Sequence, residues 1–178
     1  LRRKLKEIHE RLALTLIYVT HDQMEALTFA EKVVVMYEGE IVQTGTPEDL
    51  FETPEHKFVG YFIGSPGMNF LDCRIEGNQA FIDGLAVELD GKTADAARKA
   101  KGRFEVGIRP KYLEIAAGPG RNALRAEVKN VEDLGSYKIA TLLLNGNTLY
   151  ARLPEDAPVP AGRIWAVFPP QKIKLYAD

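Results

Sequence analysis

Residues 16–26 read Leu-Ile-Tyr-Val-Thr-His-Asp-Gln-Met-Glu-Ala, and the fold of the first third of the chain turns on them. Four successive apolar residues, 16–19, β-branched and aromatic in type, predict a buried strand. Asp22 follows, with Glu25 three positions later, the spacing of a capping box that opens a helix. Met24, Leu27 and Ala30 supply the expected buried face of that helix. A second apolar run, residues 33–36, predicts another strand. Strand, short helix and strand make a βαβ unit, whose crossover of about a dozen residues is near the minimum that joins parallel neighbours. Two strands do not make an independently stable sheet. Further strands are therefore expected upstream, and the unpaired half-sheet is expected to be disordered, swapped or paired with another copy. Before it, residues 2–12 carry Leu5, Ile8 and Leu12 at the spacing of one helical stripe. The chain starts at Leu1 inside that pattern, so a fragment of a longer protein is expected.

Downstream, Glu38-Gly39 predicts a turn into a hairpin strand at 41–43. Thr46 with Pro47 predicts a helix cap and first helical position. Thr53-Pro54 stops that helix, Pro54 is expected to open the next, and Phe58, Tyr61 and Phe62 give it an aromatic stripe for packing. Residues 64–67, Gly-Ser-Pro-Gly, break the chain. Domains are expected at 1–64 and 65–178. In the second, short apolar stretches at 71–75, 80–82, 104–108, 126–131, 139–144, 149–153, 164–168 and 173–176 are punctuated by Asn78, Asp83-Gly84, Asp90-Gly91 and Asn145-Gly146. That rhythm predicts an all-β barrel or sandwich, with residues 93–101 as its helical insert.

Bulk properties narrow the function. A net charge of −2 disfavours a nucleic-acid partner, because a phosphate backbone rewards a basic face. The single cysteine, Cys73, excludes a disulfide framework and reads as a small, buried, apolar residue. No apolar run approaches the ~20 residues that span a bilayer. The basic residues near the start have no apolar segment behind them, so they do not form a signal peptide.

The residues that carry chemistry are Thr20-His21-Asp22, at the carboxyl end of the expected strand, where α/β sheets place ligand-contacting groups. An imidazole there can donate a hydrogen bond to a phosphate oxygen or hold a water; equally, a strand-end histidine can serve only local structure. The wider order of motifs is more specific. LIYVTHDQMEA at 16–26, VVVM at 33–36 and GEIVQTGTPE at 39–48 together resemble the end of an ABC ATPase nucleotide-binding domain, of the maltose type that serves sugars, glycerol phosphate and related solutes. The resemblance implies that His21 is the switch histidine, contacting the γ-phosphate of ATP, while the general base is a glutamate outside this chain. It also implies ATP and Mg2+ as ligands of the full-length protein and no metal ligand here. It implies a second copy as dimer partner, transmembrane permease subunits and, indirectly, a solute-binding protein. The location implied is cytoplasmic, on the inner face of a bacterial membrane.

The β region resembles the OB-like regulatory (TOBE) domain of the same family. The matching residues are Met68-Asn69-Phe70, Val106-Gly107-Ile108-Arg109-Pro110, residues 132–136, Phe168-Pro169, Lys172-Ile173 and Tyr176. Lys111 departs from the acidic residue usual after that proline, and the last residues depart from the usual closing segment. Arg109 reads either as the partner of a carboxylate that fixes a turn or as a dimer or regulatory contact. The fold expected overall is an α/β remnant of a P-loop domain followed by an OB-like barrel.

The sequence holds no G-x-x-x-x-G-K-[ST] loop, no LSGGQ-type signature and no Walker B carboxylate pair. This chain alone is therefore expected neither to bind ATP tightly nor to hydrolyse it. The alternative function is a stand-alone OB-type module for small oxyanions, which would have no need of the half-sheet in residues 1–37. A nucleic-acid-binding OB face would need a basic, aromatic groove.

Overall fold

The computed structural model describes residues 4, 11, 15–158 and 161–177. The helix expected over 2–12 falls outside the described residues but for two positions. The chain divides into two compact units, Leu1–Ser65 and Pro66–Asp178.

The first unit contains α1 (Gln23–Phe29), β1 (Val33–Tyr37), β2 (Glu40–Gly45), α2 (Pro47–Glu52) and α3 (Lys57–Phe62). Residues 16–19 are not the buried strand that their composition predicts. They belong to no strand, and Ile17 and Val19 are 85% and 89% exposed. The physical reason is the one that makes any lone strand unstable: main-chain donors and acceptors need a neighbouring ladder. The parallel βαβ unit is accordingly not formed among the described residues. β1 pairs instead with β2, antiparallel, from Val33↔Gly45 to Tyr37↔Glu40, with a bulge at Val35/Met36. Their connection, Glu38-Gly39, has φ values of 51° and 85°, the two positive values of a type I′ hairpin turn.

Asp22 does cap α1, accepting from the main-chain N–H of Met24 (2.8 Å) and Glu25 (3.2 Å). The reciprocal half of the capping box is absent: the Asp22 N–H goes to Thr20 Oγ1, and Glu25 turns elsewhere. Met24 is exposed at 59%, and Ala26, Leu27 and Ala30 form the inward face in its place. The complete capping box is at α2, where Thr46 and Asp49 bond each other's main chain behind Pro47. Pro54 does not open α3; His56 caps it, Nδ1 accepting from the Phe58 N–H. In α3 the aromatic stripe splits. Phe58 and Phe62 stack with centroids 5.4 Å apart, while Tyr61 points outward at 69% exposure. Val59 and Ile63 join Val33, Val35 and Leu50 in the small core.

The second unit is β-rich. One sheet has the order β12-β6-β3-β4-β5, the other β10-β9-β8-β11-β7, and every pairing is antiparallel. The strands are β3 (Asn69–Glu76), β4 (Gln79–Ile82), β5 (Leu85–Glu88), β6 (Phe104–Ile108), β7 (Glu114–Ala116), β8 (Ala123–Asp133), β9 (Tyr137–Leu144), β10 (Asn147–Pro154), β11 (Arg163–Val167) and β12 (Lys174–Ala177). Alternating positions of both sheets, among them Leu71, Val106 and Ile108 from one and Leu124, Leu142 and Leu149 from the other, meet in one core. Asp83-Gly84 and Asn145-Gly146 turn with both φ positive, as the hairpin dipeptides require. Asp90-Gly91 is not a hairpin turn. Asp90 caps α4 (Gly91–Lys99), accepting from the Thr93 N–H at 2.7 Å, so the helical insert begins earlier than 93.

Candidate functional site

The turn that carries His21 is held from both sides. Thr20 Oγ1 donates to Glu25 Oε2 (2.9 Å) and accepts from the Asp22 N–H (3.1 Å). The Tyr18 hydroxyl donates to the same Glu25 oxygen at 3.1 Å, and its ring tilts against Phe29 with centroids 5.5 Å apart. Asp22 then locks the first turn of α1. Between two such fixed neighbours the His21 side chain is exposed. There a ring N–H can donate to a ligand oxygen or to water. Gln23, next along, makes a two-point contact with the main chain of Gly64: its Oε1 accepts from the Gly64 N–H at 2.7 Å and its Nε2 donates to the Gly64 carbonyl at 3.4 Å.

Sequence reasoning singled out His21 but missed Thr20, Gln23 and Glu25 as the groups that fix it. Their signal was present only as polar residues crowded around a strand end. It quoted Asn69 only as part of a motif and did not single out Asn122, the two amides that serve main chain in the second unit. Asn69 Nδ2 donates to the Tyr150 carbonyl and its Oδ1 accepts from the Tyr150 N–H, tying β3 to β10 as a strand would. Asn122, at φ 54°, accepts from the Glu88 N–H and donates to the carbonyls of Glu88 and Phe168.

In the Val106–Pro110 motif, each residue has a visible task. An added Cβ at Gly107 would lie 2.7 Å from Tyr176 Cε2 and 2.8 Å from Met68 Sδ, so only hydrogen fits between them. Arg109 is buried, 2% exposed, and its carbonyl accepts from the N–H groups of Tyr112 and Leu113. Pro110 offers its carbonyl to the Arg152 N–H. Such burial places Arg109 inside the β unit rather than on a contact surface of this chain. Burial pushes the Tyr176 phenol up to about 12, against a smaller opposing effect of the Arg109 charge.

The oxyanion alternative directs attention to a cleft of about 330 Å³ beside Cys73. Its guanidiniums already face carboxylates, Arg74 with Glu76 (3.0 Å) and Arg103 with Asp72 (3.5 Å). Burial raises the Cys73 thiol to about 11, leaving no thiolate there at neutral pH. Among the described residues no group of three His, Cys, Asp or Glu converges as a metal site, and no helix is long and apolar enough to cross a membrane.

Antiparallel sheets around a shared core, with a capping helix and I′ hairpins, define the second unit as a mostly β, OB-like domain. Residues 64–113 match the family model of the MalK OB fold domain, which covers β3 to β6 and the Gly107–Pro110 corner. Nearly the whole chain aligns with ATP-binding subunits of ABC importers. The sulfoquinovosyl glycerol transport ATP-binding protein SmoE of Agrobacterium fabrum is 37% identical, over 98% of this chain and 49% of the relative. The sn-glycerol-3-phosphate import ATP-binding protein UgpC of Chromobacterium violaceum is 36% identical, over 99% and 48%. The chain thus spans about half the length of the curated relatives it matches, and it is similar to their C-terminal, regulatory part. Among solved structures, the cytoplasmic molybdate-binding protein ModG superposes with a TM-score of 0.47 at 17% identity, over 63% of this chain and 96% of that one.

Proposed function

We propose that this chain is the C-terminal part of the ATPase subunit that powers an ABC importer of sugar or glycerol-phosphate type solutes. The observation that carries the reading is the alignment of 98–99% of this chain, at 36–37% identity, with transport ATP-binding proteins, together with the match of residues 64–113 to the MalK OB fold domain. In this reading residues 1–64 close an α/β nucleotide-binding domain and 65–178 form the OB-like regulatory domain. The exposed apolar residues 16–19 suit a strand whose neighbours belong to the longer protein.

His21 is the residue that contacts the γ-phosphate. Its turn is fixed by Thr20, Asp22 and Glu25, so the main chain that carries the ring needs no reorganisation. Phosphoryl transfer rewards such positioning and charge stabilisation more than any covalent participation. Mg2+ and most phosphate contacts fall to the residues upstream. The subunit works as a pair, couples to transmembrane permeases and sits on the cytoplasmic face of the membrane.

The test is ATP turnover by the protein expressed from the longer reading frame. His21→Ala is expected to lower it on the order of 10²-fold or more, the scale of losing one aimed donor to a transferring group. Turnover that survives His21→Ala would remove His21 from the reaction.

A further inference from the structure

We propose that Gln23 is a positioning latch: it ties the turn bearing His21 to Gly64, the last glycine before the second unit begins, so that the turn and the connecting segment hold one coupled geometry. The inference rests on the reading of His21 given above.

Three observations meet here. Gln23 is the first residue of α1, one residue from the Asp22 cap and two from His21. Its side-chain amide meets both main-chain groups of Gly64, as donor and as acceptor, across 41 positions of sequence. Gly64 itself has φ of 117°, a conformation that side-chain-bearing residues avoid, and it follows Ile63, the C-cap of α3. An amide that pairs both N–H and C=O of a residue replaces a missing ladder partner and holds the peptide groups on both sides of that residue, where a single bond would hold one. Gly64 leads directly into Ser65 and the boundary with the second unit. A displacement of the connecting segment therefore pulls on Gln23, and through it on the helix start that aims His21. In the reverse direction, a phosphate group that draws on His21 acts on the segment leading to the β domain. Thr20 and Glu25 bond each other across the turn, whereas Gln23 reaches a residue 41 positions away.

Hydrogen exchange of this chain, resolved by residue and measured without nucleotide, tests the latch. In Gln23→Ala, the amides of Gly64 and of Met24 and Glu25 are expected to exchange at least tenfold faster together, with Leu50 and Val59 unchanged. Gln23→Glu keeps the 2.7 Å acceptor bond to the Gly64 N–H and is expected to restore protection at Gly64. Gly64→Ala, which strains the positive φ, is expected to loosen Met24 and Glu25 from the far end. Faster exchange at Gly64 alone overturns the coupling, and a uniform rise across the first unit overturns it in favour of a general structural role. Neither result touches His21 chemistry. Conversely, a longer protein whose turnover survives His21→Ala would sink the phosphate reading while the exchange pattern still stands.

Discussion

At the scale of single residues, the sharpest prediction concerns Gly107. A methyl group there would meet Tyr176 and Met68 closer than real Cβ contacts come. Tyr176 has little room to retreat, because its ring packs edge-on to Phe70 with centroids 5.3 Å apart. Gly107→Ala is expected to cost about 1–3 kcal/mol, the range for overpacked cores, read as a fall in the urea midpoint at constant slope. Asn122→Ala is expected to cost a similar ~1–3 kcal/mol, because it removes the acceptor of the half-buried Glu88 N–H and the donor to the buried Phe168 carbonyl. Cys73 gives a chemical readout. Its thiol is raised to about 11 by burial, so alkylation of the folded chain should accelerate as pH climbs toward 11, whereas the unfolded chain reacts near the ordinary value. The same shift has a stability sign: a group raised on folding contributes fully below its unfolded pKa of 9.0 and loses that contribution as pH rises toward 11. The sequence marked Gly107 and Arg109 within a motif but could not say why they sit there. For Gly107 the reason is Tyr176 and Met68, which local pattern does not bring together. The tasks of Asn69 and Asn122 were hidden for the same cause, since each serves main chain far away in sequence.

At the scale of elements, patterns closed by local chemistry were legible and patterns needing distant partners were not. The Thr46-Pro47 helix start, the Glu38-Gly39 turn and the dipeptides at 83–84 and 145–146 all follow from residues in immediate contact. The strand expected at 16–19 failed because its partners do not lie within the described residues. β5 and β7 were overlooked because both are short and partly exposed, with too few apolar residues for a period to show. Two elements allow direct tests. Glu38 sits at φ 51°, a conformation better suited to asparagine, so Glu38→Asn is expected to stabilise the hairpin by less than about 1 kcal/mol in chemical denaturation. At α2, the hydrogen bond from the Thr46 main chain, then that from its hydroxyl, holds the Asp49 carboxyl below its usual 3.8. A depressed carboxyl contributes above its unfolded pKa, and the contribution vanishes as pH falls through the folded value. The melting temperatures of wild type and Asp49→Asn should therefore differ at pH 7 and converge as the pH falls below the usual carboxylate range.

At the scale of the whole molecule, the Gly-Ser-Pro-Gly stretch at 64–67 read as a break, and the chain divides into compact units between Ser65 and Pro66. The two units differ in what holds them. Among the described residues, twenty buried apolar residues form the core of the second, against five in the first. Burial of apolar area is the dominant favourable term in folding, and a small core is correspondingly marginal. Heating is therefore expected to melt the chain in two steps, the first unit giving way before the second. Hydrogen exchange should agree, with Leu50 and Val59 opening well before Val106 and Leu142. Residues 66–178 expressed alone should keep the second transition and lose the first, and a single transition at one temperature would contradict the division. The order of melting also bears on the proposed function. If residues 16–19 are a strand that the upstream half completes, the first transition alone should rise when the longer protein is examined, because the exposed side chains of Ile17 and Val19 then leave water. A longer protein whose first unit melts no later than in this chain would mean that those residues face solvent in the parent too, and that the ATPase sheet is not what they join.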